Sequence, residues 1–198
     1  MRIEITIEGL TPLLCNRFTD AAALAATQGT RGSTRGDRGT EREICESKLY
    51  LDKDGKPCIP QPNLLSCIVD GGIWHKIGRK QVTTKSSSLV YACCDVVGLT
   101  IPIEHEAPWS VDARPVVIPA TKGRILCYRP RFDDWKLTFE IELLTDIIGV
   151  KLMRDIIDDS GMKSGLGDFR PNHKGPFGRF HVIRWHEVRE QELREAAE

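Results

Sequence analysis

Two stretches near opposite ends of the chain alternate apolar and polar residues with a period of two. In residues 2–8, Ile3, Ile5 and Ile7 fall on one side, and charged or hydroxyl-bearing residues fall on the other. Residues 135–144 (WKLTFEIELL) repeat this alternation. Because successive side chains of a strand point to opposite faces, each stretch predicts an amphipathic strand with one buried face. Together they indicate an antiparallel sheet whose second face is solvated.

Helical spacing is found in two further segments. Residues 62–78 carry apolar residues near helical spacing after Pro62, and the pair at 71–72 (GG) marks a weak spot or a place of close packing. The second segment has apolar residues at i+4 spacing from Ile148, with Thr145 as its N-cap and its end near residues 160–161. Turn residues and apolar runs also predict a β-hairpin over 48–59, a pairing of 114–119 with 123–132, and a last strand over 179–185.

The order of these elements is strand, helix, strands, helix, an inserted β region, strand, helix and strand. Its last part resembles half of a ferredoxin-like βαββαβ domain. We therefore predict an α+β fold with an antiparallel sheet, and the length of 198 residues suits one domain over 1–198.

Composition narrows the functional class. Lys plus Arg and Asp plus Glu balance at 28 each, so attraction to nucleic acid must come from local clusters of cations. The seven cysteines form an odd set without C-x-x-C, which predicts reduced thiols and neither a zinc site nor a disulfide framework. No cofactor or metal is predicted. The first residues lack the pattern of a signal peptide and no apolar run reaches the length of a membrane span, so a cytoplasmic protein without membrane contact is expected.

The segment 164–180 (SGLGDFRPNHKGPFGRF), here called the glycine-rich loop, is the first candidate site. Its glycines allow positive φ and close approach to a phosphate, while cationic side chains supply charge. It matches neither the Walker loop nor the dinucleotide fingerprint. The alternative is an ordinary loop whose glycines only satisfy turn geometry. The cations of this candidate site are Lys163, Arg170, Lys174 and Arg179.

A second cluster spans residues 114–132, where cations alternate with Tyr128 and Phe132. Basic and aromatic side chains on a β-ribbon can hold a single strand, with charge against phosphates and rings against bases. Alternatively, the rings lie in the core and the arginines on a solvated face. The second cluster contributes five predicted nucleic-acid-binding residues: Arg114, Lys122, Arg124, Arg129 and Arg131. A glycine-rich, polar segment before Glu43 contributes three more: Arg31, Arg35 and Arg38.

Catalytic patterns are sparse. The five histidines have no spacing typical of a triad or a metal site. Asp20 and Asp37 lie in the early polar segment, where a carboxylate could assist cleavage of a bound RNA strand. No catalytic residue is assigned, and a non-enzymatic protein is favoured.

Three stretches, in the right order, resemble motifs of the RAMP superfamily, the RNA-binding proteins that include backbone subunits of CRISPR effector complexes. They are ITIEGLTPLL (5–14), CIPQPNLLSCIVDG (58–71) and GLGDFRPNHKGPFGRFHV (165–182). The chain departs from the family pattern at Gln61, where the family has glycine, and in the last glycine pair, which reads G-P-F-G.

The resemblance implies a ferredoxin-like or RRM-like palm, a thumb-like insertion over about 79–131 and a charged tail over 187–198. It also implies a subunit that binds single-stranded RNA (or DNA) through the palm face and the glycine-rich loop. Such subunits assemble head to tail with copies of themselves and with other effector subunits. Cleaving members use an aspartate in the loop after the first strand, for which Asp20 and Asp37 are the candidates here.

Two alternatives stay open at the level of sequence. One is an RNA-processing endoribonuclease of the same superfamily that uses a histidine and the glycine-rich loop. The other is a phage structural or partner-blocking protein that binds no nucleic acid, which the zero net charge favours. The middle stretch, 114–135, is also similar to uncharacterised phage and prophage proteins.

Overall fold

The computed structural model describes residues 1–19, 27, 39–117 and 122–188. Short 3₁₀ turns lie at Gly72–Trp74 and Pro171–His173, and a π-helical turn lies at Ser160–Ser164. The helices and strands, in chain order, are β1 (Arg2–Gly9), β2 (Leu13–Leu14), α1 (Glu41–Ser47), β3 (Cys58–Pro60), α2 (Gln61–Gly71), β4 (Lys76–Ile77), β5 (Lys80–Gln81), α3 (Val90–Cys93), β6 (Cys94–Val96), β7 (Thr100–Pro102), β8 (Ser110–Val117), β9 (Arg124–Phe132), β10 (Lys136–Leu143), α4 (Val150–Asp159) and β11 (Phe180–Val188).

A four-stranded antiparallel sheet in the order β11-β1-β10-β6 forms the palm. Helix α2 connects β1 to β6 along the chain, and helix α4 connects β10 to β11. This succession is the ferredoxin-like βαββαβ arrangement, with added elements between its parts. The predicted α+β fold with an antiparallel sheet is therefore confirmed, as are the amphipathic strands at 2–8 and 135–144.

The two faces of the palm sheet differ as the alternation predicts. Ile3, Ile5 and Ile7 are fully buried and join one core with the apolar sides of α2 and α4. Glu4 and Glu8 lie on the opposite, outer face. The same division holds along β10, so burial of one face fixes the register of the central strands.

Helix α2 begins at Gln61 with Pro62 in its first turn, as predicted, but it ends at Gly71. A Cβ at Gly71 would lie 2.4 Å from the backbone oxygen of Ile156, so this position is a site of close packing between α2 and α4. The predicted continuation of the helix to residue 78 is wrong. The chain turns through Gly72–Trp74 and forms the short hairpin β4–β5, in which Ile77 is exposed.

Two other predictions are corrected in detail. Thr145 does not cap α4, because Gly149 occupies the N-cap and the amides of Ile147 and Ile148 donate to Leu144. The turn at 52–56 forms as predicted, and the Asp52 carboxylate accepts from two amides within it. The predicted hairpin is shorter than expected: Leu51 bridges Pro57, and the amide of Cys58 donates to the oxygen of Tyr50 at 2.9 Å, while β3 as a whole pairs with β7.

The long hairpin, strands β8 and β9, pairs from Ser110↔Arg131 to Val117↔Arg124, which confirms the predicted partnership of these segments. Strand β2 adds to its β9 edge. Trp135, at the start of β10, is 2 % exposed and donates its indole N–H to the backbone oxygen of Thr11 at 2.9 Å. The segment after β1 is thus held between the palm and the long hairpin.

We expect Gly71→Ala to lower the free energy of unfolding by about 1–3 kcal/mol, because the added methyl overpacks the contact between α2 and α4. Chemical denaturation followed by circular dichroism measures this. Gly149→Ala is the matched control, since a Cβ there meets nothing within 4 Å. Equal stability of Gly71→Ala and the wild type would show that the two helices can separate without cost.

Candidate nucleic-acid interface

The glycine-rich loop lies against the segment that follows β1. The amide of Gly178 donates to the oxygen of Pro12 at 2.8 Å, and the amide of Asp168 donates to Leu14 at 2.8 Å. Leu166 and Phe177, two apolar residues of the loop itself, are buried. The loop is therefore an ordered, packed part of the domain.

Glycines occur in this loop because other backbone segments pass too close to leave room for a side chain. Gly178 has φ +69° and a Cβ there would lie 1.8 Å from the oxygen of Leu166. Gly167 has φ +79°, and its Cβ would lie 2.5 Å from the oxygen of Leu14. Backbone carbonyls accept the amide hydrogens of Gly165, Leu166, Asp168, Gly175, Phe177 and Gly178. These six amides are therefore not available to the hypothesised phosphate cradle.

A buried ion pair joins the loop to the long hairpin. The Nε of Arg129 donates to the Asp168 carboxylate, which also accepts from the Nδ2 of Asn16 at 3.1 Å. Arg129 is only 6 % exposed. Its assignment to an open RNA-contacting surface is therefore corrected, because its charge is used inside the domain.

Arg114 makes a second link between the long hairpin and the loop. Its guanidinium lies 4.6 Å from the ring centroid of Phe177 and donates to the buried Asp112 at 2.8 Å. Cation–π contacts of this kind orient both side chains. The loop, the hairpin and the end of β2 are thus fixed relative to one another.

These elements and the first turns of α2 enclose a cleft of about 330 Å³. Helix α2 presents its polar side to this cleft, while Leu64 and Ile68 point into the core. Amides, hydroxyls and one guanidinium line the cleft together with the Asp168 carboxylate, whose charge is offset by Arg129, and this lining suits the phosphate and ribose groups of a nucleic-acid backbone. Its polar side chains are Asn16, Tyr50, Asn63, Ser66, Asp168 and Arg170.

Sequence reasoning identified only Arg170 among these six. Asn63 and Ser66 have an i, i+3 spacing on the polar side of a predicted helix, which was the available signal. Asn16 and Tyr50 enter the cleft only through the tertiary fold. Two thiols also line it, but burial raises the pKa of both Cys15 and Cys67 to about 12, so they remain protonated at neutral pH and are poor nucleophiles.

The remaining predicted cations fall into three groups. Lys163 and Arg131 are engaged in ion pairs with Asp159 and Asp133. Arg170 donates to the oxygen of Gly167 at 2.9 Å, and the buried Nε of Arg179 has no acceptor among the described residues. Neither Arg170 nor Arg179 has an ion-pair partner within the described part of the chain. The same holds for the exposed cations Lys122 and Arg124 at the tip of the long hairpin and Lys174 in the glycine-rich loop.

The predictions for the early polar segment lie outside the described residues. These are Arg31, Arg35 and Arg38, and the two aspartates Asp20 and Asp37.

The outer face of the palm sheet carries charges that pair with one another. Glu140 and Glu142 face Arg2, Glu8 pairs with Lys136 at 3.1 Å, and Glu4 contacts Arg184 at 3.3 Å. Its rings among the described residues are the imidazoles of His181 and His186, and no Phe, Tyr or Trp side chain of the described strands lies there. RRM domains stack bases on aromatic residues of the sheet. Because the cations of the palm face are engaged and its rings are only imidazoles, the cleft and the hairpin are the better surfaces for a nucleic acid.

None of the five histidines lines the cleft. His173 lies in the glycine-rich loop, where its amide donates to the oxygen of Arg170 at 2.8 Å. His75, after the 3₁₀ turn, has its Nε2 3.0 Å from the Asp159 carboxylate. No group of three or more metal-binding side chains is found in the described ranges. No helix among the described residues is long and apolar enough to cross a membrane.

Comparison with known proteins gives a similarity among solved structures. No protein-family model matches the chain, and no curated protein sequence matches it. Among solved structures, it is similar to a chain from the cryo-EM structure of the Type III-B Cmr-beta bound to cognate target RNA. The TM-score is 0.58 at 12 % identity, and the alignment covers 93 % of this chain and 59 % of that chain. The two chains share a fold, and the present one spans less than two thirds of the other.

We expect Asp168→Ala to destabilise the domain by about 2–3 kcal/mol, because it leaves the Arg129 guanidinium buried without its carboxylate. Thermal and urea unfolding measure the loss. Asp133→Ala is the control, since it removes the partner of the more exposed Arg131 and should change stability little. Equal effects of the two variants would show that the buried pair has no special role.

Proposed function

We propose that the protein is a non-enzymatic subunit of the RAMP type that binds single-stranded RNA in a CRISPR-effector-like or phage nucleoprotein complex. The observation that carries this proposal is the polar cleft between the glycine-rich loop, the end of β2 and helix α2, with unpaired cations on the adjoining elements. The solved structure with the same fold belongs to a complex bound to target RNA, which supports the choice of ligand.

The distribution of charge supports a local nucleic-acid surface in a chain of zero net charge. On the outer face of the palm sheet, Glu4, Glu140 and Glu142 are paired with Arg2 and Arg184. The tip of the long hairpin and the loop carry Lys122, Arg124 and Lys174 without ion-pair partners in the described ranges. A phosphate backbone would be attracted to these unpaired cations.

The proposal includes self-association. In a head-to-tail assembly, the unpaired cations of one copy would face carboxylates on the surface of the next copy. In this proposal, the long hairpin acts as the thumb; the predicted insertion over 79–131 is narrowed to it, because β6 belongs to the palm sheet and Glu187 and Val188 end β11. The remainder of the predicted charged tail, 189–198, lies outside the described residues. Arg31, Arg35 and Arg38 contact the RNA or the neighbouring subunit, and other effector subunits are further partners.

The side chains of the cleft suit a protein that binds RNA without cleaving it better than they suit a processing endoribonuclease. General acid–base cleavage needs a group that can exchange a proton within hydrogen-bond reach of the ribose hydroxyl or the leaving oxygen. No histidine lines the cleft, and its one carboxylate, Asp168, is bound to Arg129 and Asn16. Incubation of labelled RNA with the purified protein decides between the two: intact RNA is expected, and discrete products would favour the enzyme.

We expect Lys122→Gln/Arg124→Gln/Lys174→Gln to weaken binding of a labelled single-stranded RNA at least tenfold without loss of stability. Each lost phosphate contact removes about 0.7 from the slope of log affinity against log salt, so the slope should fall by about 2. Fluorescence anisotropy at several salt concentrations measures both quantities. The control variant, Lys53→Gln/Lys56→Gln/Lys151→Gln, removes as many exposed cations outside the cleft lining and the long hairpin. Equal weakening by both variants would mean that exposed cations attract RNA wherever they lie and that these three do not form a defined site.

Asn63→Asp tests the cleft itself. Asn63 is exposed in the first turn of α2, where a negative charge favours the helix dipole, so the fold should be preserved. The new charge lies against the proposed phosphate path, and we expect at least a fivefold loss of RNA affinity. Thr145→Asp is the control, because it adds the same charge at an exposed position outside the cleft. Unchanged affinity of Asn63→Asp would exclude the cleft as the binding site.

A further inference from the structure

A second cationic and apolar surface follows the C-terminal end of α2. The 3₁₀ turn and the short hairpin β4–β5 form it, together with the loop that comes next. None of its residues was among the sequence-predicted sites, because residues 72–78 were assigned to a helix. We call it the short-hairpin surface and define it by Trp74, Lys76, Ile77, Arg79, Lys80 and Lys85.

The aromatic residue of this surface is held outside the core. Trp74 is 57 % exposed, whereas Trp135 is 2 % exposed and Trp109 and Trp185 pack against the core. The Nζ of Lys163 lies 5.0 Å from the ring centroid of Trp74 and is itself held by Asp159 at 2.7 Å. The ring is therefore oriented by its neighbours while much of it remains open to solvent.

The cations of this surface have no counter-charge. Lys76, Arg79, Lys80 and Lys85 are exposed, and none has an ion-pair partner among the described residues. Elsewhere on the described surface, cations such as Arg2, Arg154 and Arg184 are paired with carboxylates. Four neighbouring positive charges without carboxylates repel one another, so an anionic ligand would relieve an unfavourable interaction.

The short hairpin is held firmly at its base. The amide of Val82 donates to the oxygen of His75 at 3.0 Å, and the side-chain amide of Gln81 donates to Ile73. Gly72 allows close contact, since a Cβ there would lie 2.4 Å from the Oγ1 of Thr83. The short hairpin is thus already ordered in the absence of a ligand, which lowers the conformational entropy lost on binding.

We infer that the short-hairpin surface is a second binding site for single-stranded nucleic acid, separate from the cleft. A base stacks on Trp74, and Lys76, Arg79, Lys80 and Lys85 contact the neighbouring phosphates. An exposed aromatic ring among unpaired cations is the combination by which proteins hold single strands without reading their sequence. An acidic protein surface would use the cations but has no use for the orientation of the ring.

The two sites lie at opposite ends of α2, and this inference rests on the proposed function. Asn63 borders the cleft in the first turn, and Gly71 ends the helix about 12 Å further along its axis, at about 1.5 Å per residue. A strand that fills the cleft can continue along the helix to Trp74. Long RNA should therefore engage both sites, and a short oligonucleotide should engage the cleft alone.

The experiment compares a short and a long single-stranded RNA, an oligouridylate of 3 and of 30 nucleotides, with two variants of the full chain; at about 3.4 Å per nucleotide the trinucleotide is too short to reach from the cleft to Trp74. The variants are Trp74→Leu and Lys76→Gln/Arg79→Gln/Lys80→Gln/Lys85→Gln, all at exposed positions. Anisotropy gives the affinities, and quenching of tryptophan emission reports base stacking. Melting curves and sedimentation velocity check the fold and the oligomeric state.

The expected result has three parts. The long RNA quenches the emission of the wild type, and this quenching disappears in Trp74→Leu. The fourfold charge variant binds the long RNA at least tenfold more weakly, with a smaller salt dependence. Both variants bind the short RNA as the wild type does, whereas Asn63→Asp binds it more weakly.

Three other outcomes would overturn the inference in distinguishable ways. If both variants bind long RNA normally while Asn63→Asp does not, the second site is absent and the proposed function stands. If the wild type binds neither RNA at low salt, the proposed function fails together with the inference. If the charge variant loses self-association and keeps RNA affinity, the short-hairpin surface binds an acidic protein face, such as the outer face of the palm in a second copy.

Discussion

The ion pair between Arg129 and Asp168 is the contact on which the arrangement of the cleft depends. Arginine stays protonated in proteins, so a guanidinium that is 6 % exposed requires a carboxylate beside it. The partners come from the long hairpin and the glycine-rich loop, and Asn16 adds the segment after β2. Satisfying one buried charge therefore brings three separate parts of the chain to one place. The cleft is the space left between them and helix α2.

The neutral total charge conceals local differences in how charges are paired. The glutamates on the outer face of the palm sheet are paired with Arg2, Lys136 and Arg184, while unpaired cations gather on both hairpins and on the glycine-rich loop. Because screening limits electrostatic attraction to roughly 8 Å at physiological salt, each surface acts on its own and the sum over the chain is of little consequence. A ligand or partner meets one surface at a time.

Most palm elements could be predicted because their signals are local. The alternation around Ile5 and along β10, the Pro62 start of α2 and the pairing of β8 with β9 all depend on short-range patterns. The end of α2 could not be predicted in this way. Ile77 continues an apolar helical spacing, but the contact of Gly71 with Ile156 and the turn at Gly72 direct the chain into a hairpin. The spacing of apolar residues within one helix contains no information on the position of a neighbouring helix.

The sequence by itself determined the fold class, the unpaired thiols and the presence of clustered cations, because each follows from periodicity, spacing or composition. Only the tertiary structure decided which cations are available. Arg129 and Arg124 belong to one strand and look alike in the sequence, yet one is buried against Asp168 and the other is exposed at the hairpin tip. Likewise, Asn16 and Ser66 are 50 residues apart and share a cleft. Whether a charged side chain is free to bind a ligand depends on which distant residue packs against it, and the local sequence does not identify that residue.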